Sequence, residues 1–383
     1  MNLGDYSRLS ISAASWKRLL AVLAAVVTAG SLVLGLAGPA QAAAAKTTLT
    51  TAVSATTVTA GGKVKVTATL KRNGKGLPKS TVRLQQRTVG AKDWKTIAKA
   101  KTNLKGQVSA TAKGLRKDQE FRAVFAGSSK ARKSASGIKK VGVKQSIRIS
   151  STSTTSPTAG QTITVKGKAS SGLVGRTLYL QQYKDRRWTR IASAKVTQSA
   201  GFSLAATAQS AGPLSLRVHA PAATGISAAS SATKKFTVYK WYYLADSTPL
   251  SAYATGTGIR FVGGPATING VRYVNSLLGV LSSLDAEDDI YLDMWDLKGK
   301  CRQFEATVGF DDEVFEAPAG IFAAFVDDEM HEIGHIAADE YVKSRIDLRH
   351  AGKFSVGMSW DGASSGVGIA GFGNAKVLCS ARP

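Results

Sequence analysis

A block of sequence between residues 44 and 238 occurs twice, with a period of about 95–99 residues. Val58-Thr59-Ala60-Gly61 returns as Pro157-Thr158-Ala159-Gly160, and the alternating pair Val64, Val66 returns as Ile163, Val165. Leu84-Gln85-Gln86 is matched by Leu180-Gln181-Gln182, and Trp94 and Ile97 by Trp188 and Ile191. Landmarks that keep their order over such a distance mean two copies of one folding unit, 44–145 and 146–238. Inside each copy apolar residues alternate with polar ones, for example from Val64 to Leu70 and from Thr81 to Gln86. Turn clusters such as Asn73-Gly74-Lys75-Gly76 separate the runs. Period-two alternation sends successive side chains to opposite faces of a strand, so each copy is expected to be all-β with one face of each strand in a core.

About 100 residues and several short strands per copy are the dimensions of an immunoglobulin-like sandwich. The pattern resembles the tandem bacterial Ig-like domains that form stalks in secreted and surface proteins. Charge sets these copies apart from the C-terminal region. Residues 44–238 hold 36 basic and 4 acidic side chains, net +32, whereas 239–383 hold 12 and 20, net −8. A break of that size marks a domain boundary near 239. Lys and Arg alternate with apolar residues along the strands and therefore cover the outer faces. The first copy alone carries 24 basic and 3 acidic groups, beyond what solubility needs, and such a surface collects polyanions in a salt-dependent way. Neither a helix-turn-helix nor a zinc-finger pattern is present, so no specific nucleic-acid partner is expected, and anionic cell-wall polymers suit an exported chain better. Trp94 and Trp188, at matched places, read as core or hydrophobic-edge residues rather than sugar platforms.

Arg8, Lys17 and Arg18 precede an apolar run from Leu19 to Gly38, followed by Pro39 and Ala40-Gln41-Ala42. That order reads as a secretory signal peptide over residues 1–43, cut near Ala42. An uncleaved anchor is the alternative, since the run approaches the ~20 residues that span a bilayer. After cleavage a secreted or wall-associated protein with no membrane attachment is expected. In an exported chain the two cysteines, Cys301 and Cys379, read as one disulfide. Neither CxxC spacing nor a neighbouring His supports a metal or redox pair.

From Tyr239 onward aromatic density rises, and runs such as Gly258 to Val262 and Phe304 to Val308 again alternate. A series of landmarks appears in order: Tyr243-Leu244-Ala245-Asp246-Ser247, Ile268-Asn269-Gly270-Val271-Arg272-Tyr273, Leu278-Gly279 and Ile290-Tyr291-Leu292-Asp293. It continues with Phe304 to Gly309, Asp311-Asp312-Glu313 and Asn374-Ala375-Lys376-Val377-Leu378. The series resembles the NPCBM family, carbohydrate-binding modules of galactose-binding-like jelly-roll fold found beside glycoside hydrolases and in secreted bacterial proteins. The likeness spans nearly all of 241–379. It implies a β-sandwich that binds glycan, with galactose-type sugars as candidates, through loops at one end. Candidate contacts are Trp295, Trp360, Asp361 and Asn374. Two departures stand out: Val280 where the family often carries His, and Gly366 to Phe372 in place of an acidic, His-containing loop. The fold class expected for the chain is all-β, two tandem Ig-like sandwiches followed by a jelly-roll sandwich.

His331-Glu332-Ile333-Gly334-His335 satisfies the H-E-x-x-H pattern, in which two His one helical turn apart hold zinc and the Glu acts as general base. An exported zinc metallopeptidase is therefore the enzymatic alternative. Its third ligand is not at the familiar place, because Ala338 and Tyr341 stand where the extended pattern carries Gly and His or Asp, and His350 and Asp347 remain as substitutes at unfamiliar spacing. The segment also reads as a hairpin, Ile321 to Val326, a turn at Asp327-Asp328-Glu329, and Met330 to Ile336. Four extended steps would separate the two His by ~13 Å, too far for one zinc. No catalytic residue or metal is assigned on this reading. Asp285 to Asp289 and Asp311 to Glu313 are candidate calcium loops without EF-hand spacing. The leading expectation is a secreted non-catalytic protein whose C-terminal module binds glycan and whose basic copies cling to anionic wall polymer. A structural adhesion protein with no defined ligand is the remaining alternative.

Overall fold

The strand Gly62–Arg72 shows how the alternation is used. Val64, Val66, Ala68 and Leu70 are buried while Lys63 and Lys65 face solvent. The computed structural model describes residues 43–254, 261–282, 290–313, 319–363 and 365–383. The leader expected over 1–43 lies outside the described residues except for Ala43, as do Asp285–Asp289 and the start of the run Gly258 to Val262. Every regular element among the described residues is a strand, apart from two short 3-10 turns at Ser171–Leu173 and Leu244–Asp246. None of their helices is long and apolar enough to cross a membrane.

In the first sandwich, Gly62–Arg72 pairs with Thr47–Val53 and Gln107–Leu115. The facing sheet runs in the order Thr57–Thr59, Lys139–Lys144, Gln119–Phe125, Thr81–Thr88, Lys95–Lys101. Leu70, Val82, Leu84 and Phe121 fill the space between the two. In the second, Thr162–Ala169 lies between Ile147–Thr152 and Gly201–Thr207. Opposite it, Thr177–Lys184 lies between Arg187–Lys195 and Gly212–Ala220. Ile163, Val165, Leu180 and Val218 are in that core. The Ala-Gly landmark recurs because the backbone requires it. Gly61 and Gly160 sit at φ 86° and 89°, a region that a Cβ disfavours, and each donates its N–H to the end of a strand distant in sequence, to Leu115 O and Ala208 O at 2.7 Å.

The third core, from Leu244 to Cys379, is aromatic. Phe322 makes edge-on contacts with Phe310 and Phe372, with ring centroids 6.0 and 5.9 Å apart, the arrangement aromatic quadrupoles favour. One sheet has the order Val262–Ile268, Val271–Ser282, Val367–Cys379, Cys301–Phe310, Tyr341–Asp347. The other is Ser251–Ala254, Ile290–Asp296, Lys353–Trp360, Gly320–Val326, Glu329–Ile336. The two sheets face each other across this core as a third, jelly-roll-type β-sandwich, following two smaller Ig-like ones. Cys301 and Cys379 face each other across adjacent strands and are joined by a disulfide.

Residues 44–383 form one compact unit. The two Ig-like sandwiches touch where Asp118 N–H donates to Gly225 O at 2.8 Å and Ser227 Oγ donates to Val143 O at 3.3 Å. The second sandwich reaches the jelly roll through Tyr239, whose N–H donates to Pro157 O at 2.9 Å. The Arg302 guanidinium lies 4.9 Å from the Tyr239 ring centroid.

Candidate functional site

The four candidate contacts of the C-terminal sandwich fall in different places. Trp295 is corrected outright: it is 1% exposed in the centre of the core, and its indole N–H donates to Ser247 O at 3.3 Å, so no sugar reaches it. Trp360 is half-buried and rests against the same core. The Asp361 carboxylate pairs with His335 Nε2 at 3.0 Å and its side chain is only 7% exposed. Asn374 alone lies on an open sheet face, in a cleft of about 340 Å³.

That cleft is a product of register. Along Cys301–Phe310, Phe304, Ala306 and Val308 enter the core, so Glu305 and Thr307 stand on the outer face. Glu305 is opposite Arg345 on one side and Lys376 on the other, and Thr307 is opposite Lys343 and Gly373. A bulge between Glu305 and Thr307 displaces Asn374, which adopts φ 48°, a conformation Asn tolerates better than most residues. Its Oδ1 accepts the Asn275 N–H at 3.1 Å. The Tyr273 ring lies over Gly373, where a Cβ would come 2.8 Å from the ring, so the glycine is what seats the aromatic wall.

Glu305 is the electrostatic centre. Its Oε1 accepts from Arg345 Nη2 at 2.7 Å and Gln303 Nε2 at 2.7 Å, and its Oε2 lies 3.3 Å from Lys376 Nζ. Burial pushes the carboxyl up, but the Arg345 and Lys376 hydrogen bonds outweigh it and hold Glu305 below the usual carboxylate range. Such a depressed group contributes stability above its unfolded pKa and loses it as pH falls through the folded value. Lys376 in turn lies 4.8 Å from the Trp241 ring centroid. Lys343 makes no ion pair among the described residues. A second cleft of about 350 Å³ continues past Arg345 to Arg302 and Arg349, where the Arg349 hydrogen bonds lower Asp347 to about 2. An aromatic wall, an amide and a guanidinium–carboxylate pair converge in an open trough, the mixture that orients a polar ring with an apolar face.

The zinc alternative is corrected by the same sandwich. His331, Glu332 and His335 belong to the strand Glu329–Ile336, opposite Ala324, Ala323 and Ile321, not to a helix that would bring the two His within one turn of each other. Among the described residues no group of three or more His, Cys, Asp or Glu could hold a metal. The candidate calcium loop at Asp311 to Glu313 has other duties. Asp312 accepts the N–H groups of Asn269 and Gly270 at 2.9 and 2.6 Å, and Asp311 accepts those of Thr267 and Glu313 at 3.3 and 3.1 Å. These carboxylates tie the Asn269–Gly270 turn to the neighbouring strand.

On the first Ig-like sandwich, Arg83, Arg87, Lys99 and Arg122 occupy one outer sheet face. Glu120 pairs with Arg87 at 2.7 Å there. Trp94 and Trp188 lie outside both cores, half-buried on these outer faces, which corrects any placement in a core. Sequence reasoning missed Tyr273, Glu305, Lys343, Arg345 and Lys376. The outward positions of Glu305 and Thr307 could have been read from the buried Phe304, Ala306 and Val308, but their partners could not.

No protein-family model matches the chain, and no curated protein matches it. Among solved structures, a CBM51 module from Clostridium perfringens GH95 in complex with methyl-galactose is 20% identical over 36% of this chain and 99% of that one, with a TM-score of 0.30. The CBM51-2 and INT domains of Clostridium perfringens ZmpB are 14% identical over 45% of this chain, with a TM-score of 0.29, and the chain spans 38% of their length. The Yersinia pseudotuberculosis adhesin InvE is 12% identical over 66% of this chain and 74% of that one, with a TM-score of 0.32. These likenesses assign no ligand to this chain.

Proposed function

We propose that the chain is an exported, non-catalytic binding protein with a leader over 1–43, basic Ig-like repeats at 44–145 and 146–238, and an NPCBM-like module at 239–383. The module takes a glycan in the cleft between Tyr273 and Arg345, and the repeats hold anionic wall polymer. One observation carries the glycan reading: Tyr273, Asn374 and the Arg345–Glu305 pair converge on one open cleft. The sugar's apolar face would lie on Tyr273, with its hydroxyls on the amide, carboxylate and guanidinium. Galactose-type glycans are the first ligands to try.

The test is a glycan panel and a purified-wall assay with the full chain. Arg345→Ala should weaken glycan binding about tenfold or more, because a hydrogen bond to a charged group is worth about 1.5–3 kcal/mol, and Asn374→Ala roughly two- to tenfold, a neutral bond being worth about 0.5–1.5 kcal/mol. Unchanged melting would show that the sandwich is intact. Wall binding through the repeats should instead fall steeply between low and high salt, as counterion release requires. Glycan binding indifferent to both substitutions would sink the cleft as the site, and wall binding that survives molar salt would sink the electrostatic role of the repeats.

A further inference from the structure

The two Ig-like sandwiches carry the same device at the same place. In the first, Arg122 stands opposite Gln85 on the neighbouring strand. Its Nε donates to Gln85 Oε1 at 2.8 Å, and its guanidinium carbon lies 4.2 Å from the Trp94 ring centroid. In the second, Arg217 stands opposite Gln181. There Nε donates to Gln181 Oε1 at 2.9 Å, and the guanidinium lies 4.2 Å from the Trp188 ring.

An arginine on an exposed strand ordinarily samples many rotamers, and ordering it costs entropy. Stacking on an indole and a bond from Nε to an amide fix the plane of the guanidinium in advance, which lowers the cost of forming the next bond. Neither Arg122 nor Arg217 has a carboxylate partner among the described residues. Arg87, Arg345 and Arg349 all do. With Nε occupied, the Nη1 and Nη2 edge is the free fork, shaped for a carboxylate or a phosphate.

The surroundings favour a sugar acid over bare phosphate. Tyr183 lies 5.2 Å from Trp188 and is 47% exposed, and Arg190 lies 4.0 Å from the Tyr179 ring centroid. Aromatic surface alternates with guanidinium on this face, which a saccharide ring can use and a phosphate chain cannot. Positive charge reaches this face as well: the pKa of His219 is lowered first by burial and then by the neighbouring Arg217 and Arg190. The two sandwiches meet close to these strands: Asp118, just before the strand bearing Arg122, donates its N–H to Gly225 O in the loop that follows the strand bearing Arg217.

We infer that Arg122 with Trp94, and Arg217 with Trp188, are paired carboxylate sites for an acidic polysaccharide, one site per sandwich. Each fork takes a uronate carboxylate end-on; in the second sandwich the exposed Tyr183 meets the sugar ring, whereas in the first Arg87, 4.5 Å from the Trp94 ring centroid, lies over the indole as well. The inference rests on the reading of the repeats as a polyanion-binding surface and gives that surface a stereochemical requirement.

The experiment titrates the full chain with polygalacturonate and with sodium polyphosphate across a salt series. The double variant Arg122→Lys/Arg217→Lys keeps the net charge and removes the planar fork, so polygalacturonate binding should weaken at least about tenfold with the salt slope unchanged. A second pair of variants guards against a folding defect. Gln85→Glu/Gln181→Glu places an internal carboxylate against each guanidinium and should abolish most binding while leaving melting unchanged or raised. Ser109→Glu/Ser203→Glu puts the same two charges on exposed positions of the opposite sheets and should cost much less. Wild-type-like binding by the lysine variant would overturn the platforms and leave the polyanion surface standing. No binding by the wild type at low salt would overturn both. Polyphosphate binding that is as tight, and as dependent on the two arginines, would overturn the sugar-acid assignment.

Discussion

Trp295→Ala should unfold the C-terminal sandwich, or bring it to the edge of unfolding, while polyanion binding by the basic repeats persists. The side chain is 1% exposed in the middle of an aromatic core, and truncating a buried Trp costs about 3–5 kcal/mol. The Ser247 carbonyl would also lose its indole donor, an added penalty for a buried acceptor. Against a total of about 5–15 kcal/mol for a domain, that loss is large. Urea unfolding followed by near-UV signal, alongside polyanion binding of the same variant, provides the readout. A Trp295→Ala protein that melts like the wild type and loses only glycan binding would return Trp295 to the ligand surface.

Breaking the disulfide should have an effect of similar size. Cys301 and Cys379 are 78 residues apart, and in the chain-entropy model a cross-link closing such a loop is worth ~4 kcal/mol. Cys301→Ser/Cys379→Ser should therefore lower the urea midpoint of the C-terminal sandwich markedly, and reductant should do the same to the wild type. The bridge ties the strand bearing Glu305 to the strand bearing Lys376, so glycan affinity should fall along with stability. Two free thiols in native, unreduced protein, or a midpoint indifferent to reductant, would contradict this.

Much of the architecture was legible along the chain because it is local. Alternation at Val64, Val66, Ile163 and Val165 marks inward faces, and an Ala-Gly step marks the left-handed turn that precedes the same strand in each sandwich. Asn73-Gly74 marks a tight hairpin for the same reason: Asn73 and Gly74 sit at φ 50° and 78°, where most side chains are strained. The strand character of His331 to His335 was also legible in local pattern, since Ile321 to Val326, the Asp-rich turn and Met330 to Ile336 read as a hairpin, with the zinc-binding helix as the alternative.

Aromatic residues defeated the same reading. Trp94, Trp188 and Trp295 all lie in or beside alternating segments, yet two rest under arginines on an outer face and one fills a core. Alternation says that neighbours take opposite sides of a strand; it does not say which side another sheet will cover. The cleft was hidden for a related reason. Glu305 meets Arg345 40 residues later and Lys376 on a third strand, and a bulge at Asn374 decides which side chain stands beside them. Charge, alternation and the cysteine pair were therefore settled by the chain alone, because they need only near neighbours or simple counting. Which side chains share a site was settled by strand register, a property of long-range pairing that no local pattern contains.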